Sequence, residues 1–279
     1  MRPDALAALR IETQVHEAVE RLELPFNALG LDPYGISKKY LERFFTVLAI
    51  AYRYYFSVRA RGVEHVPPRG RAMLVGNHSG GIPIDATMVI ACCLLEGDPP
   101  RLAQGMVERF LNRFPVASLW ASRTGQFTGS PEHAERLLND DRLLLVFPEG
   151  SRGTAKLFRD RYSLVHFGSG FMRLALKTRA PIVPFVVLGA SEAFPTVVNA
   201  YRLGRVLGIP YVPIVPYGLP IALPVKVEIE FGAPLHFTGT GNEDDAVVAG
   251  YVDQVKSTLS EMLDRGARRR RGEPVAESA

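Results

Sequence analysis

The chain has 279 residues, 47% hydrophobic and 22% charged, enough to bury a full core in one α/β domain, with or without a small subdomain. Much of the excess in its formal charge of +4 sits at one end, where Arg265 and Arg268 to Arg271 stand among Gly266, Gly272 and Pro274. That cluster reads as a solvated, disordered tail, although such charge also attracts anionic lipid or nucleic acid.

In chain order, the first 25 residues read as a charged helix rather than a signal peptide. Ser37 to Phe56 follows, with an apolar core of Phe44, Phe45, Val47, Leu48, Ile50 and Ala51 flanked by Lys38, Lys39, Arg43 and Arg53. Tyr52, Tyr54 and Tyr55 cluster late in it. The pattern fits a helix in a lipid interface and equally a helix covering the domain's own core. Nowhere do 18 consecutive apolar residues occur, so no spanning helix is expected.

From Arg71 the texture is α/β. Ala72 to Gly76 predicts a buried strand, Asp85 to Leu95 an apolar helix ending near Gly97, and Leu143 to Phe147 a second buried strand cut off by Pro148. Cys92 and Cys93, the only cysteines, lie adjacent in that helix. They suit a reducing, cytoplasmic compartment and no structural zinc. Gly168 to Thr178 predicts a helix and Ile182 to Leu188 a third strand. Pro210 to Pro224 reads as an apolar loop, a candidate lipid face. Val225 to Phe231 alternates into a half-exposed strand. Together these predict an α/β fold: a mixed, mostly parallel central sheet flanked by helices, with N-terminal amphipathic helices. The expected division is a helical membrane-interface segment over 1–57, a catalytic domain over 58–264 and a basic disordered tail over 265–279.

In such sheets the site lies beyond the carboxyl ends of the strands. There the sequence places Gly76-Asn77-His78-Ser79-Gly80-Gly81-Ile82-Pro83-Ile84-Asp85. An acid beside a histidine fixes its tautomer and raises the basicity of the free nitrogen, as a general base for a hydroxyl requires. Asp85 is equally a good helix N-cap, and His78 an ordinary turn residue. After the second strand comes Phe147-Pro148-Glu149-Gly150-Ser151-Arg152-Gly153. Its glycines allow close backbone approach, and Arg152 offers a planar fork for phosphate. Glu149 could orient Arg152, bind a ligand hydroxyl or tie the loop to its neighbours. Pro-Glu-Gly-Ser is also an ordinary turn. Lys156, Arg159 and Arg161 make the neighbourhood basic, or form a solvated face.

Taken together, Asn77-His78 with a downstream Asp, then Phe147 to Arg152 some 70 residues later, resemble the glycerolipid acyltransferase family, which includes the lysophosphatidic acid acyltransferases. Ala180-Pro181-Ile182-Val183-Pro184 matches that family's proline-containing apolar block, and Arg123 stands where a basic residue usually precedes the second strand. The likeness runs from about Val58 to Leu235. It implies that His78, held by Asp85, takes a proton from a glycerolipid hydroxyl, which attacks an acyl-CoA or acyl carrier protein thioester without an acyl-enzyme. Glu149, Gly150, Ser151 and Arg152, with Arg123, would bind substrate. Oxyanion donors are sought in the Gly80-Gly81 turn or the Glu149-Gly150 loop. No metal or nucleotide cofactor is implied. The expected setting is the cytoplasmic face of a membrane, as a peripheral protein.

The family's usual spacing is His-x4-Asp, whereas His78 and Asp85 stand at His-x6-Asp, resembling a branch with diacylglycerol-acyltransferase-like proteins. The acceptor could therefore be neutral. Two rival readings remain. Gly189-Ala190-Ser191-Glu192-Ala193 nearly matches a Gly-x-Ser-x-Gly elbow, with His236 and Asp244 downstream, as in a serine hydrolase. A non-catalytic lipid-binding protein is the other. Nucleic acid is not expected as a partner, for want of a recognition motif.

Overall fold

The computed structural model describes residues 3–107, 115–128, 130–218 and 221–274. Helices α1 (Pro3–Glu20) and α2 (Lys38–Ile50) precede strand β1 (Arg59–Arg61). Then come β2 (Ala72–Gly76), α3 (Ile84–Leu95), β3 (Ala103–Val107), α4 (Pro115–Arg123), β4 (Phe127–Thr128), α5 (Pro131–Asn139) and β5 (Leu143–Val146). The second half holds α6 (Ser151–Thr154), α7 (Gly170–Thr178), β6 (Ile182–Leu188), α8 (Ala190–Ala193), β7 (Val198–Ala200), α9 (Tyr201–Leu207), β8 (Val212–Ile214), β9 (Glu228–Phe231) and α10 (Asp245–Arg270).

Seven strands form one sheet in the order β1-β9-β6-β2-β5-β3-β4. Every pairing in it is parallel except β6 with β9. The predicted fold class is therefore the observed one. The central strands β2, β5 and β6 are buried along their whole length, as their unbroken apolar runs require. Side chains leave the sheet alternately: Leu74, Val183 and Phe185 meet α1, α2 and α3, while Met73, Val75, Leu144 and Val186 meet α5, α7 and α10.

Three sequence expectations change. The N-terminal helices are not a separate segment, because Val15, Val19, Leu41 and Phe45 share one core cluster with Leu74 and Phe185. α2 buries Leu41, Phe45 and Ala49 and leaves Val47 and Ile50 exposed on its outer side. The stretch from Pro210 to Pro224 is not all loop, since β8 pairs antiparallel with β7. Nor is 265–279 a disordered tail throughout. α10 continues to Arg270, with Gly266 lying where a Cβ would stand 2.7 Å from Leu188. Its arginines meet the outward carboxylates of β9: Arg269 pairs with Glu230 at 2.5 Å and Arg270 with Glu228 at 3.2 Å. Among the described residues no helix is long and apolar enough to cross a membrane.

Candidate active site

Strand β2 sits at the centre of the sheet and delivers His78 at its carboxyl end. Gly76 is required there, because a Cβ would lie 2.3 Å from the Phe185 ring. Asn77 extends the β2–β6 ladder with its side chain, donating to the Val187 carbonyl at 3.1 Å and accepting from the Val187 N–H at 2.8 Å. The backbone entering His78 is thereby fixed.

The next turn brings an acid to the imidazole. His78 Nδ1 lies 2.7 Å from Asp85 Oδ2, which also accepts from the Ser79 N–H at 2.7 Å. Asp85 Oδ1 accepts from the Ala86 N–H at 2.7 Å, so both carboxylate oxygens are held and the side chain has no exposure. An Nδ1–H given to Asp85 leaves Nε2 with its lone pair, the state a general base needs. The turn between His78 and Asp85 passes through Gly80 and Gly81, both left-handed at φ +96° and +66°. The imidazole stacks on Phe147, with centroids 4.1 Å apart and planes 18° from parallel, and its side chain keeps 13% exposure.

Glu149, following β5, completes the frame. Its Oε1 accepts from the His78 N–H at 2.8 Å and its Oε2 from the Val165 N–H at 2.9 Å. Lys156 Nζ donates to the two oxygens at 3.0 and 2.9 Å, and to the Ser163 carbonyl at 2.9 Å. Of the three roles the sequence leaves open for Glu149, the geometry shows tying the loop to its neighbours, and its carboxylate is fully engaged. Lys156 is the residue sequence reasoning missed. It reads as part of a basic face, yet it is buried. The available signal was an acid and a base seven residues apart around Gly153, where a Cβ would press within 2.7 Å of His78 Cβ.

Gly150, at φ +57°, turns the loop outward into α6, which exposes Ser151 and Arg152. Arg152 has no hydrogen-bond or ion-pair partner among the described residues. No such contact joins Arg123 to the other candidates. Its Nη1 donates to the Gly35 carbonyl at 2.9 Å, and its own carbonyl accepts from the Ser37 N–H at 3.0 Å, bracing the N-terminal segment. Of the expected oxyanion donors, the Gly81 N–H is spent on the Thr154 carbonyl and the Gly150 N–H on that of Phe147. Gly80 is a buried residue, and its N–H has no acceptor among the described residues.

The hydrolase constellation does not assemble. Ser191 is buried just past the carboxyl end of β6, whereas Leu235, next to His236, bridges Ile182 at the opposite end. Six residue-to-residue steps separate the ends of β6, about 20 Å. Cys92 and Cys93 supply no nucleophile either, since burial pushes the Cys92 thiol up to about 12 and Cys93 well above its usual range. Among the described residues the one cluster with metal-ligand spacing is His16, Glu20 and Glu42, far along the chain from this site. There Glu20 is already paired with Lys38 at 2.7 Å.

The model of the family described as Acyltransferase matches residues 57–188, a span holding every candidate from His78 to Arg152. An uncharacterized protein of Mycobacterium tuberculosis H37Rv is 35% identical over 249 residues, covering 85% of this chain and 68% of that protein. The 1-acyl-sn-glycerol-3-phosphate acyltransferase alpha of Bos taurus is 28% identical over 162 residues, 57% of this chain and 54% of that enzyme. Its Homo sapiens counterpart is 29% identical over 144 residues, 50% and 49% of the two chains. The chain thus spans about half the length of these mammalian enzymes. Among solved structures, the 1-acyl-sn-glycerophosphate acyltransferase PlsC of Thermotoga maritima superposes with a TM-score of 0.52 at 19% identity, covering 79% of this chain and 78% of that one. That likeness supports the fold. The family model and the sequence relatives place this chain in the acyltransferase family.

Proposed function

We propose that this acyltransferase transfers a fatty acyl group from acyl-CoA or acyl carrier protein to the hydroxyl of a lysophosphatidic acid or related lysophospholipid. His78 Nε2 takes the hydroxyl proton as the oxygen attacks the thioester carbonyl. The tetrahedral adduct collapses, the C–S bond breaks, and the imidazolium returns the proton to the departing thiolate. Asp85 holds the ring and balances its transient charge. The Gly80 N–H, left without an acceptor, is the oxyanion donor. Arg152, exposed and unpaired beside this frame, takes a phosphate, while Gly150 and Ser151 let the substrate approach the loop. Arg123 acts at a distance, by bracing the N-terminal segment. The protein works as a peripheral protein at the cytoplasmic face of a membrane, without a resident cofactor.

The observation carrying this reading is the 2.7 Å contact between His78 Nδ1 and the fully buried Asp85, at the carboxyl ends of the central strands. Acyl transfer from a long-chain acyl-CoA to lysophosphatidic acid, monoacylglycerol and diacylglycerol tests it. His78→Ala lowers turnover at least ~100-fold with the melting temperature unchanged. Arg152→Ala raises KM for the phosphorylated acceptor and leaves the neutral ones alone. Normal transfer by His78→Ala would refute the base. A preference for diacylglycerol would reassign the acceptor.

A further inference from the structure

Between β6 and β9 the chain leaves the sheet as an arm, β7-α9-β8, that contributes no strand to the main sheet. Half of the exposed large apolar side chains among the described residues fall within 197–223. α9 supplies Tyr201, Leu203, Val206 and Leu207, which are 56%, 47%, 82% and 56% exposed. Leu203, Val206 and Leu207 share one helical face by their spacing. The helix is held by its other side, where Gly204 lies so near Tyr211 that a Cβ would meet the Tyr211 Cα at 2.5 Å. The close approach turns the apolar residues outward rather than into a core.

The charge on this arm has one sign. From Ala193 to Val227 the sequence contains no Asp or Glu, while Arg202, Arg205 and Lys226 are exposed. Neither arginine of α9 has a carboxylate partner among the described residues. Apolar side chains beside unpaired arginines, with tyrosines at the margin, match the layers of an anionic bilayer surface: acyl chains, phosphates and the interface between them.

The arm also rests on the candidate site. The Asn199 side chain donates to the Ala155 carbonyl at 2.6 Å, the Phe158 N–H to the Thr196 carbonyl at 2.8 Å, and the Tyr211 hydroxyl to Thr154 Oγ1 at 2.6 Å. The carbonyl of Thr154 in turn accepts from the Gly81 N–H, in the turn that carries His78 towards Asp85. A surface under α9 would therefore be coupled through two hydrogen bonds to the loop that shapes the site.

We infer that α9 and its flanking strands are the face by which this protein docks on an anionic lipid surface, presenting the His78 site to acceptors held there. The inference rests on the glycerolipid acyl-transfer reading for its purpose, but its test does not. The full chain is sedimented with vesicles of phosphatidylglycerol and phosphatidylcholine, and with phosphatidylcholine alone. The variants are Val206→Asp with Leu207→Asp, and Arg202→Glu with Arg205→Glu. Wild type should partition onto the anionic vesicles about tenfold or more better than onto neutral ones, and each variant should lose about tenfold or more of that binding. Melting temperature and acyl transfer to a detergent-dispersed acceptor should stay at wild-type values. Undiminished vesicle binding by both variants would overturn the assignment, and so would equal binding of wild type to neutral vesicles. A wild-type dimer that Val206→Asp dissociates, without vesicle binding, would make a second copy the occupant instead. Should wild type transfer no acyl group in detergent while the variants still lose vesicle binding, docking stands and the reaction fails. Intact transfer with unaffected vesicle binding gives the reverse.

Discussion

Strand β5 carries a buried ion pair at each end, and the two are built differently. At the amino end Arg142 Nη2 meets Asp32 Oδ2 at 3.0 Å, with side chains 4% and 0% exposed. At the carboxyl end Lys156 meets Glu149 at 2.9 Å, with 3% and 0%. Lys156 spends all three ammonium hydrogens on named acceptors, and both Glu149 oxygens receive further backbone N–H groups. Arg142 leaves Nη1 buried without a partner, and its guanidinium stacks 5.3 Å over Tyr34. Asp32 turns its other oxygen to the N–H groups of Tyr34 and Ile36, its own loop. A buried pair is weak evidence for net stability, but breaking one costs heavily. The pair at the amino end fastens an N-terminal loop to the sheet. The pair at the carboxyl end fixes the peptide nitrogen of His78, the base proposed above, whose ring would need placement to within a fraction of an ångström.

Removing one charge from each pair separates these roles most strongly. Glu149→Gln leaves Lys156 buried without its counter-charge, and Asp32→Asn does the same to Arg142. Each should cost about 3 kcal/mol in urea unfolding. Assayed at a temperature where both are folded, Asp32→Asn should keep the wild-type kcat, whereas Glu149→Gln should lose about tenfold or more as His78 shifts. Equal losses of kcat would erase the distinction.

A smaller chemical change probes the carboxyl end alone. An added Cβ at Gly153 would stand 2.7 Å from His78 Cβ and 2.9 Å from Glu149 Cβ. Those neighbours are held by the hydrogen bonds above, so the clash can be relieved only by disturbing the frame around His78. Gly153→Ala should lower kcat several-fold, with KM for the thioester changed less and a stability loss of about 1–3 kcal/mol. A variant with wild-type kcat would show that the frame around His78 tolerates displacement.

The same contrast explains what the sequence makes legible. Ile182 to Leu188 is an uninterrupted apolar run and appears as β6 with those very bounds, because a strand buried on both faces needs no alternation. His78 and Asp85 are near in sequence and joined by a glycine turn, so their meeting can be argued from the chain alone. Asp32 and Arg142 stand 110 residues apart, and nothing local announces their pairing. Lys156 is only seven residues from Glu149, yet its neighbours Arg159 and Arg161 make it look like one of a solvated row. The arginines ending α10 mislead in the same manner. Composition suggests a loose tail, but the alternating Glu228 and Glu230 of a half-exposed strand were waiting for counter-charges. The stretch from Ala103 to Asn139 was the least readable. β4 spans two residues, β3 carries a polar Gln104 as its second residue, and α5 announces itself only by its Ser130 cap, whose Oγ accepts from the His133 N–H at 3.2 Å.

The smallest expected effect lies beside the loop that Asp32 fastens, where the readout is stability rather than turnover. His133 stacks on Phe127, centroids 4.5 Å apart, and leans on Tyr34, the ring under Arg142. Burial, assisted by the nearby Arg136, lowers its pKa below the ordinary 6.5. The unfolded chain therefore binds the proton more readily than the folded one, and stability rises with pH through this group. Its contribution is intact above about pH 6.5 and declines as the pH falls from there towards the depressed folded value. His133→Phe keeps an aromatic surface against Phe127 and Tyr34 and removes the titration. Melting curves between about pH 5 and 8 should show a flatter acid limb for the variant, while the pH profile of kcat keeps its shape. If the acid limb of kcat moved with His133→Phe, the Tyr34 side of the molecule would be coupled to the imidazole, and the division between the two ends of β5 would not hold.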